Sequence, residues 1–588
     1  MSNYFLYCKK ADFKQIAETF HISPMLARIL RNRDLVSDGE IDEYLNGGTD
    51  RLYDPFLMKG IKEAVPLIFA AIKNNERIRV IGDYDTDGVC SSYILKQFIT
   101  ALGGNADVRL PDRMSEGYGM NPDMVKEAAA DGIHLIITCD NGVSSYEAVE
   151  AARNAGIKVI VSDHHEVPLP LVDADVVIDM KQPEDPYPYK ELCGAGVAYK
   201  IISALYETYK LQYESNNSLE DLLDDLLQFA GIATIADVVP LTGENRIIAK
   251  EGIRRLKHTE NTGLRALMES RHIISENLTS YHIGFIIAPC LNSAGRLKNA
   301  EIALNLIEEN DYHKAAMIAE DLSQLNEDRK SMTQVQTSAA EKMVAELFEE
   351  KGELPKILVL YLKDAHESIA GIIAGRLKEL YSRPVIIVTD SEDGLKGSGR
   401  SVDVYNMIEE LRKDSYLFKK LGGHAKAAGF SLNDDVSADV LSDRINARCG
   451  LTEEMLQEKK WIDIQLPFQY ASEDFIHELD LLEPYGLKNE RPVFAERNIK
   501  VHKVIVLGKN NNVLKLQMEN EDGFIIEGIR YGAEQKIASE ADLLVSGKER
   551  YGDDFRISIA YFPSVNDFRG TRNVQLRILD FISMTKGC

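Results

Sequence analysis

The sequence predicts an α/β multidomain protein: a Rossmann-like parallel-sheet domain, a long connecting helix, a small second α/β domain and a C-terminal β-barrel of the OB type. Three observations predict it. From about residue 60, apolar runs of strand length alternate with helical stretches; residues 312–350 make one long polar helical stretch; and beyond residue 496 short alternating runs are separated by Gly, Asn and Asp turns. Strands interleaved with helices imply βαβ units in a parallel sheet, and closely spaced short strands imply a barrel or sandwich. A chain of 588 residues has room for roughly three to five such domains.

Taken in order, residues 1–60 read as short helices, with a basic turn at Arg28 to Arg33 and an end at Tyr44-Leu-Asn-Gly-Gly48. Residues 61–310 read as helix Ile61–Lys73, strand Ile78–Ile81, helix Val89–Leu102, strand Val108–Leu110, helix Pro122–Ala130, strand His134–Thr138, helix Ser145–Ala155 and strands Lys158–Val161 and Val176–Ile178. Residues 311–354 form the connecting helix, whose polar surface suits a bridge between domains. Residues 355–455 hold strand Lys356–Tyr361, helix Ser368–Tyr381, strand Pro384–Thr389 and two Gly-rich turns, Gly397-Ser-Gly-Arg400-Ser and Gly422-Gly-His424-Ala-Lys426. A linker, 456–495, leads to the barrel, 496–588, with strands expected at Lys500–Leu507, Asn512–Met518, Phe524–Ile529, Ala541–Ser546, Phe555–Tyr561 and Asn573–Leu579. Tyr531, Tyr551, Phe555 and Tyr561 are available there for base stacking, though core packing accounts for most aromatics in a barrel.

Composition narrows the class. Hydrophobic residues are 45% and charged residues 27%, as in an ordinary globular protein. The first ten residues lack a basic segment leading into an apolar run, and no apolar run is long enough to span a bilayer, so the expectation is a cytoplasmic protein without membrane contact. Cys8, Cys90, Cys139, Cys193, Cys290, Cys449 and Cys588 are scattered without a Cys-x-x-Cys pair, which suggests reduced structural thiols rather than disulfides or a zinc ribbon. A net charge of −25 argues against nucleic acid only as a sum; much of the acid lies in runs such as Ser218–Asp225, Glu308–Asp311 and Glu349–Glu353.

The chemistry is concentrated in Asp83-Tyr-Asp85-Thr-Asp87-Gly88, at the end of the first strand of the parallel sheet, where open α/β sheets place their ligand crevice. Three aspartates at alternate positions repel one another unless cations lie between them. Asp140-Asn-Gly142, Asp163-His164-His165 and Asp237, in the apolar segment Ile232–Pro240, add groups of the same kind at the ends of further elements. Each has a plain structural reading as a turn or a cap; together they read as a two-metal site. Carboxylates with imidazole suit Mn²⁺, or Mg²⁺ with less preference. No Gly-x-Gly-x-x-Gly follows the first strand and no phosphate-binding Gly-x4-Gly-Lys-Ser/Thr occurs, so dinucleotide and nucleoside-triphosphate readings lack support.

These four stretches, the last extended to Asp237-Val-Val-Pro-Leu-Thr-Gly-Glu-Asn-Arg246, resemble motifs I to IV of the DHH phosphoesterase superfamily. With Glu116-Gly-Tyr118-Gly119, Asn292-Ser-Ala-Gly-Arg296, the two Gly-rich segments and Leu482-Glu-Pro-Tyr-Gly486, the chain resembles the RecJ exonucleases along nearly its whole length. The resemblance implies DHH, DHHA1 and OB domains and two ions, Mn²⁺ or Mg²⁺, on Asp83, Asp85, Asp87, Asp140, His164 and Asp237. It implies that Asp163 orients His164, that His165 lies near the scissile phosphate, and that Arg113, Tyr118, Arg296, Ser398, Arg400 and His424 bind substrate. The activity implied is 5′-to-3′ hydrolysis of single-stranded DNA to 5′-mononucleotides in repair and recombination. A monomer meeting a single-strand-binding protein and a helicase is implied with it.

The chain departs from the family pattern at Ala365-His-Glu-Ser-Ile-Ala-Gly371 and Gly486-Leu-Lys-Asn-Glu490, which touches substrate-end preference and not the ligands. Two other readings stand beside the exonuclease: a DHH phosphodiesterase of short oligonucleotides or cyclic dinucleotides, and a non-catalytic DNA-binding scaffold. The first lacks a C-terminal barrel in its usual form; the second does not need six candidate ligands.

Overall fold

The computed structural model describes residues 3–212, 217–568 and 571–586; Cys588 lies outside them. Strand β1 (Asn3–Leu6) precedes a five-stranded parallel sheet of β2 (Arg77–Ile81), β3 (Asn105–Arg109), β4 (Ile133–Thr138), β5 (Lys158–Ser162) and β6 (Val176–Ile178) in the order β3-β2-β4-β5-β6. Alternation across the pleat buries both faces. Val80, Leu135, Ile137 and Ile160 pack on one side with the helices Ile61–Lys73, Thr86–Ala101 and Gly194–Gln212, and Ile81, Ile136, Val159 and Val161 on the other with Pro122–Ala130 and Tyr146–Asn154. The chain leaves β2 toward β3 on one side and returns to β4 on the other. The crevice of such a sheet opens at that switch point, here between the ends of β2 and β4.

The helix Tyr312–Lys351 has 40 residues and is about 60 Å long. Ala315, Ala319 and Leu322 near its start are buried in the first core, and Ala340 and Val344 near its end in a second core. A second sheet follows: β7 (Leu358–Tyr361), β8 (Val385–Ser391), β9 (Gly394–Arg400), β10 (Phe418–His424) and β11 (Ala427–Leu432), in the order β10-β11-β9-β8-β7. The two segments expected as Gly-rich turns are therefore strands. In β9 the glycines serve packing: a Cβ at Gly397 would stand 2.1 Å from the Phe430 ring, and one at Gly399 would press on Met407 at 3.1 Å.

After β12 (Lys459–Ile462), which pairs with β1, come β13 (Ile464–Gln465), β14 (Phe494–Leu507), β15 (Val513–Glu519), β16 (Ile525–Tyr531), β17 (Phe555–Phe568) and β18 (Thr571–Lys586). Pairing of β14 with β17 closes the barrel. The strand expected at Ala541–Ser546 is instead part of the helix Glu534–Tyr551. Ile537, Ala541 and Leu544 are buried at four- and three-residue spacing, a helical period that a six-residue window conceals. Phe555 and Tyr561 lie in the barrel core, while Tyr531 is exposed beneath the Arg577 guanidinium. No described helix is long and apolar enough to cross a membrane.

Leu26, Ile29, Leu30, Ile41 and Leu45 of the first helices share one apolar core with the barrel strands. Arg246 pins this assembly to the parallel-sheet domain. Its guanidinium lies 3.8 Å from the centre of the Tyr44 ring and donates to the carbonyls of Tyr44 at 3.0 Å, Leu482 at 3.0 Å and Leu481 at 2.9 Å. Arg246→Met leaves three carbonyls short of a donor and is expected to cost about 3 kcal/mol of unfolding free energy in denaturant titration. Arg246→Lys is expected to recover less than half of that, because one ammonium cannot span the three acceptors.

Candidate metal centre and substrate crevice

β2 ends at Ile81, and the turn after it carries Asp83, Tyr84 and Asp85 into the helix Thr86–Ala101. Asp85 caps that helix: its Oδ1 accepts from the amides of Asp87 at 2.9 Å and Gly88 at 3.2 Å. A Cβ at residue 88 would lie 2.4 Å from the Asp83 backbone, so glycine is needed there. Asp87 accepts from the amides of Gly194 and Ala195, each at 2.7 Å, at the start of the helix Gly194–Gln212. Free amides and the positive helix end offset part of its charge. A Cβ at Gly194 would meet that of Asp140 at 2.6 Å. Sequence reasoning missed this support; the glycines of Cys193-Gly-Ala-Gly196, opening a helical run, were its signal.

Asp140 follows β4 with a left-handed backbone, φ 61°, which aspartate tolerates better than most residues. Asn141 holds the turn by donating to the carbonyls of Ile81 at 3.0 Å and Cys139 at 2.9 Å and accepting from the Met120 amide at 3.0 Å. After β5, His164 directs Nε2 to within 3.0 Å of Asp140, 3.6 Å of Asp87 and 3.9 Å of Asp237. Asp163 does not orient that ring as expected. Its Oδ1 meets Nδ1 of His165 at 2.8 Å and accepts from the His164 amide at 2.8 Å, and Oδ2 accepts from the Val143 amide at 3.0 Å. These residues follow the end of β5 at Ser162, and the turn there brings the Asp163 carboxylate onto His165, whose ring lies 4.4 Å from that of His164. Asp237 follows the helix Asn217–Ala236 rather than a strand, and Val238 after it takes φ 58°, turning the chain sharply outward.

The six predicted ligands fall into two adjacent groups, Asp83, Asp85 and Asp140, and Asp87, His164 and Asp237. In each group one ligand atom per residue lies within 4.8 Å of the others. The Asp140–His164 contact of 3.0 Å joins the groups. Burial and the charge of Asp85 push the Asp83 carboxyl well above its usual range, and burial and Asp87 do the same to Asp140 and Asp237. Asp87 is pushed up to about 6 by burial and Asp85. Burial drives His164 down to about 3, leaving a neutral imidazole with a free lone pair. Burial also opposes a charge on His165, yet the hydrogen bond and charge of Asp163 raise it to about 9. Burial would lift Asp163, but its contacts with His165 hold it below the usual range. Oδ1 of Asp83 is buried and has no hydrogen-bond partner among the described residues, in a residue grouped with Asp85 and Asp140. The donor set is hard, crowded and short of counter-charge, and fits two divalent cations.

Beside this cluster a cleft of about 610 Å³ opens between the two α/β units, lined by Tyr84, Arg113, Tyr118, Arg296, Ser398 and Arg400 with Lys396 and Lys420. Tyr118 donates to the Asp140 carbonyl at 2.8 Å and its hydroxyl lies 3.1 Å from Nδ1 of His165, so it braces the centre as well as lining the cleft. Arg113 stacks on the Tyr84 ring at 4.9 Å. Arg296 crosses the boundary to donate to the Ser368 carbonyl at 2.9 Å, and Arg400 donates to Ser398 at 3.2 Å. Burial and the Arg113 charge lower both, Arg296 to about 10. None of the three arginines is paired with a carboxylate among the described residues. Gly371 makes room for the group, since a Cβ there would strike Arg400 at 2.6 Å and Ser398 at 2.9 Å. His424 does not line the cleft; it is exposed at the end of β10, within electrostatic reach of Arg400 and His165.

Family models match three stretches: the DHH family N-terminal domain at residues 77–232, the DHHA1 domain at 354–450 and the RecJ OB domain at 462–580. The chain is 33% identical over 572 residues to the single-stranded-DNA-specific exonuclease RecJ of Bacillus subtilis, spanning 96% of this chain and 69% of that one. It is 32% identical to the Haemophilus influenzae RecJ, spanning 95% of this chain and 96% of the relative. The crystal structure of RecJ in complex with Mn²⁺ from Thermus thermophilus superimposes with a TM-score of 0.81 at 25% identity, covering 99% of this chain and 79% of that one. From its metal-ligand cluster, its arginine-lined cleft and its closed barrel, and from these likenesses, the chain belongs to the RecJ family.

Proposed function

We propose that this protein is a single-strand-specific DNA exonuclease that works 5′ to 3′ and releases 5′-mononucleotides, in DNA repair and recombination. One observation carries the reading: two three-residue ligand groups joined at 3.0 Å adjoin a cleft with three arginines free of carboxylate partners. Asp83, Asp85, Asp140, Asp87, His164 and Asp237 would hold two Mn²⁺ or Mg²⁺ ions, which neutralise the carboxylates and supply the Lewis acidity that phosphodiester hydrolysis uses. The curated relatives named above are single-stranded-DNA-specific exonucleases, and the T. thermophilus relative holds Mn²⁺.

The chain's own residues divide the remaining work. His165, charged through Asp163, donates from Nε2 to a non-bridging oxygen of the scissile phosphate, while Nδ1 stays committed to Asp163. Arg113, Arg296 and Arg400, with Ser398, take the terminal 5′ phosphate; bidentate guanidinium contacts fix its distance from the ligand groups. Tyr118 holds the Asp140 turn and the His165 ring in register, and His424 approaches the strand from the second sheet. A cleft closed by two domains admits one strand and excludes a duplex by width. Divisions at residues 60, 310, 354, 455 and 495, a cytoplasmic monomer, and partners that present single strands, a binding protein and a helicase, complete the reading.

Asp85→Ala and Asp140→Ala are expected to lower Mn²⁺-dependent degradation by at least about 10³-fold, about 4 kcal/mol of barrier, with single-strand binding kept. On end-labelled oligonucleotides the 5′ label is expected to leave first; early release of the 3′ label rejects the polarity. Arg400→Gln is expected to erase most of the preference for a 5′-phosphorylated over a 5′-hydroxyl end, about tenfold. In thermal unfolding, Mn²⁺ is expected to raise the midpoint of the chelated protein by several degrees. Asp83→Asn is expected to raise the metal-free midpoint and blunt the response to Mn²⁺, since it removes one of the charges that only a cation offsets.

A further inference from the structure

An exposed aromatic pair lies on the element that runs past the metal centre, and nothing in the chemistry above uses it. That element is Ser280–His282, the π turn Ile283–Ile287 and the helix Ala288–Leu297. Its far end is fixed to the catalytic loop: Asn292 Oδ1 accepts from the Thr86 amide at 2.8 Å and hydroxyl at 3.0 Å, and Gly295 lies against the Tyr84 carbonyl so closely that a Cβ would stand 2.3 Å from it. Arg296 then enters the cleft. Its near end carries Tyr281 and Phe285, stacked with ring centroids 5.0 Å apart at 25°, and 58% and 67% exposed.

Two further features mark this end. The π turn departs from α-helical hydrogen bonding and keeps Ile283 and Ile287 buried while both rings face outward, a distortion common at functional sites. Gly284 lies against Ile235, two residues before the ligand Asp237, where an added Cβ would be 3.5 Å from the Ile235 side chain. The rings therefore lie at the Asp237 end of the ligand groups, roughly 16–23 Å along the element from Arg296. Ser280 donates to the Tyr485 carbonyl at 2.7 Å and the Leu241 amide to that of Leu487 at 2.8 Å, which fastens the same end to the segment leading into the barrel. Val238 after Asp237 and Leu487 on the joined segment are further exposed apolar residues, at 63% and 45%.

We infer that Tyr281 and Phe285 form a base-stacking platform for the single strand on the 3′ side of the scissile phosphodiester, between the barrel and the metals. The inference rests on the exonuclease reading, which puts the 5′ end at the arginines. A strand anchored there and crossing the ligand groups meets this pair next, and every base offers a face to stack on whatever its sequence. Such a platform holds the shortened strand while the product leaves.

The test uses the full chain with Ca²⁺ as a non-catalytic divalent ion and 5′-phosphorylated single strands carrying 2-aminopurine at one position each. The expected result is quenching at one or two adjacent positions a few nucleotides from the 5′ end. Tyr281→Ala with Phe285→Ala is expected to lose that quenching and to weaken binding about tenfold per ring. Tyr281→Phe and Phe285→Tyr are expected to keep both. A double variant that binds and quenches like the wild type overturns the platform alone. Loss of quenching that coincides with a dimer becoming a monomer in sedimentation also overturns it, because the face then packs a second copy. A wild type that neither binds nor degrades single strands overturns the exonuclease reading and the platform with it.

Discussion

Mutual repulsion among Asp83, Asp85, Asp87, Asp140 and Asp237 is the constraint around which this molecule is arranged. Burial raises the cost of the charges on Asp83, Asp87, Asp140 and Asp237, and neighbouring carboxylates raise it again. Without ions, the chain offers mainly backbone amides, with the His164 ring against Asp140. It uses them where it can, two on Asp85 from within its own helix and two on Asp87 from the helix Gly194–Gln212. Bringing a helix end and a strand turn that close requires positions without a Cβ, which is why glycine stands at 88 and 194. Asp163 is the contrast: also buried, it has a histidine of its own and stays ionised. A cluster in this condition is destabilising for the fold and is tolerated where a ligand offsets it.

A site of this kind needs its second wall held at a fixed distance, and that wall belongs to another core. The helix Tyr312–Lys351 begins among the apolar residues of the parallel-sheet domain and ends among those behind β7 and β8. Between them lie buried hydroxyls at Thr333 and Thr337 rather than a continuous apolar stripe, which leaves the middle of the helix spanning the gap as a strut. Arg296 ties the two units at the cleft itself, through the Ser368 carbonyl at the start of the helix Glu367–Tyr381. The departure from the family pattern at Ala365–Gly371 lies at this junction. Gly371 is retained there, and with it the room for Arg400 and Ser398.

Much of this was legible in the sequence because it follows from periodicity. Period-two and continuous apolar runs gave β2, β4, β5 and β6 to within a residue or two, and their ends gave three of the four ligand segments. What escaped depended on contacts between distant residues. Gly397 and Gly422 resemble turn residues until Phe430 and the neighbouring strands are seen beside them. Ala541–Ser546 read as a strand because its helical period shows only when Ile537 is included. The family resemblance implied that Asp163 serves His164, but the turn after β5 sets its Oδ1 on Nδ1 of His165 at 2.8 Å, a contact that no periodicity in the sequence marks.

The net charge of −25 and a nucleic-acid substrate are reconciled by pairing rather than by number. Buried or half-buried arginines elsewhere are engaged by carboxylates: Arg79 by Asp107 and Asp131, Arg109 by Glu116 and Glu127, Arg255 by Asp224 and Glu251. Arg113, Arg296 and Arg400 are not; they share one cleft, where burial and then the Arg113 charge lower the pKa of Arg296 and Arg400. Field lines from a few unpaired guanidinium groups between low-dielectric walls act on a phosphate that has entered, while the acidic exterior weakens indiscriminate binding to the more densely charged duplex. An acidic protein of this construction selects for a thin, locally inserted anion. The carboxylates and the guanidinium groups in its centre then have partners of their own only when ions and a strand end are present together.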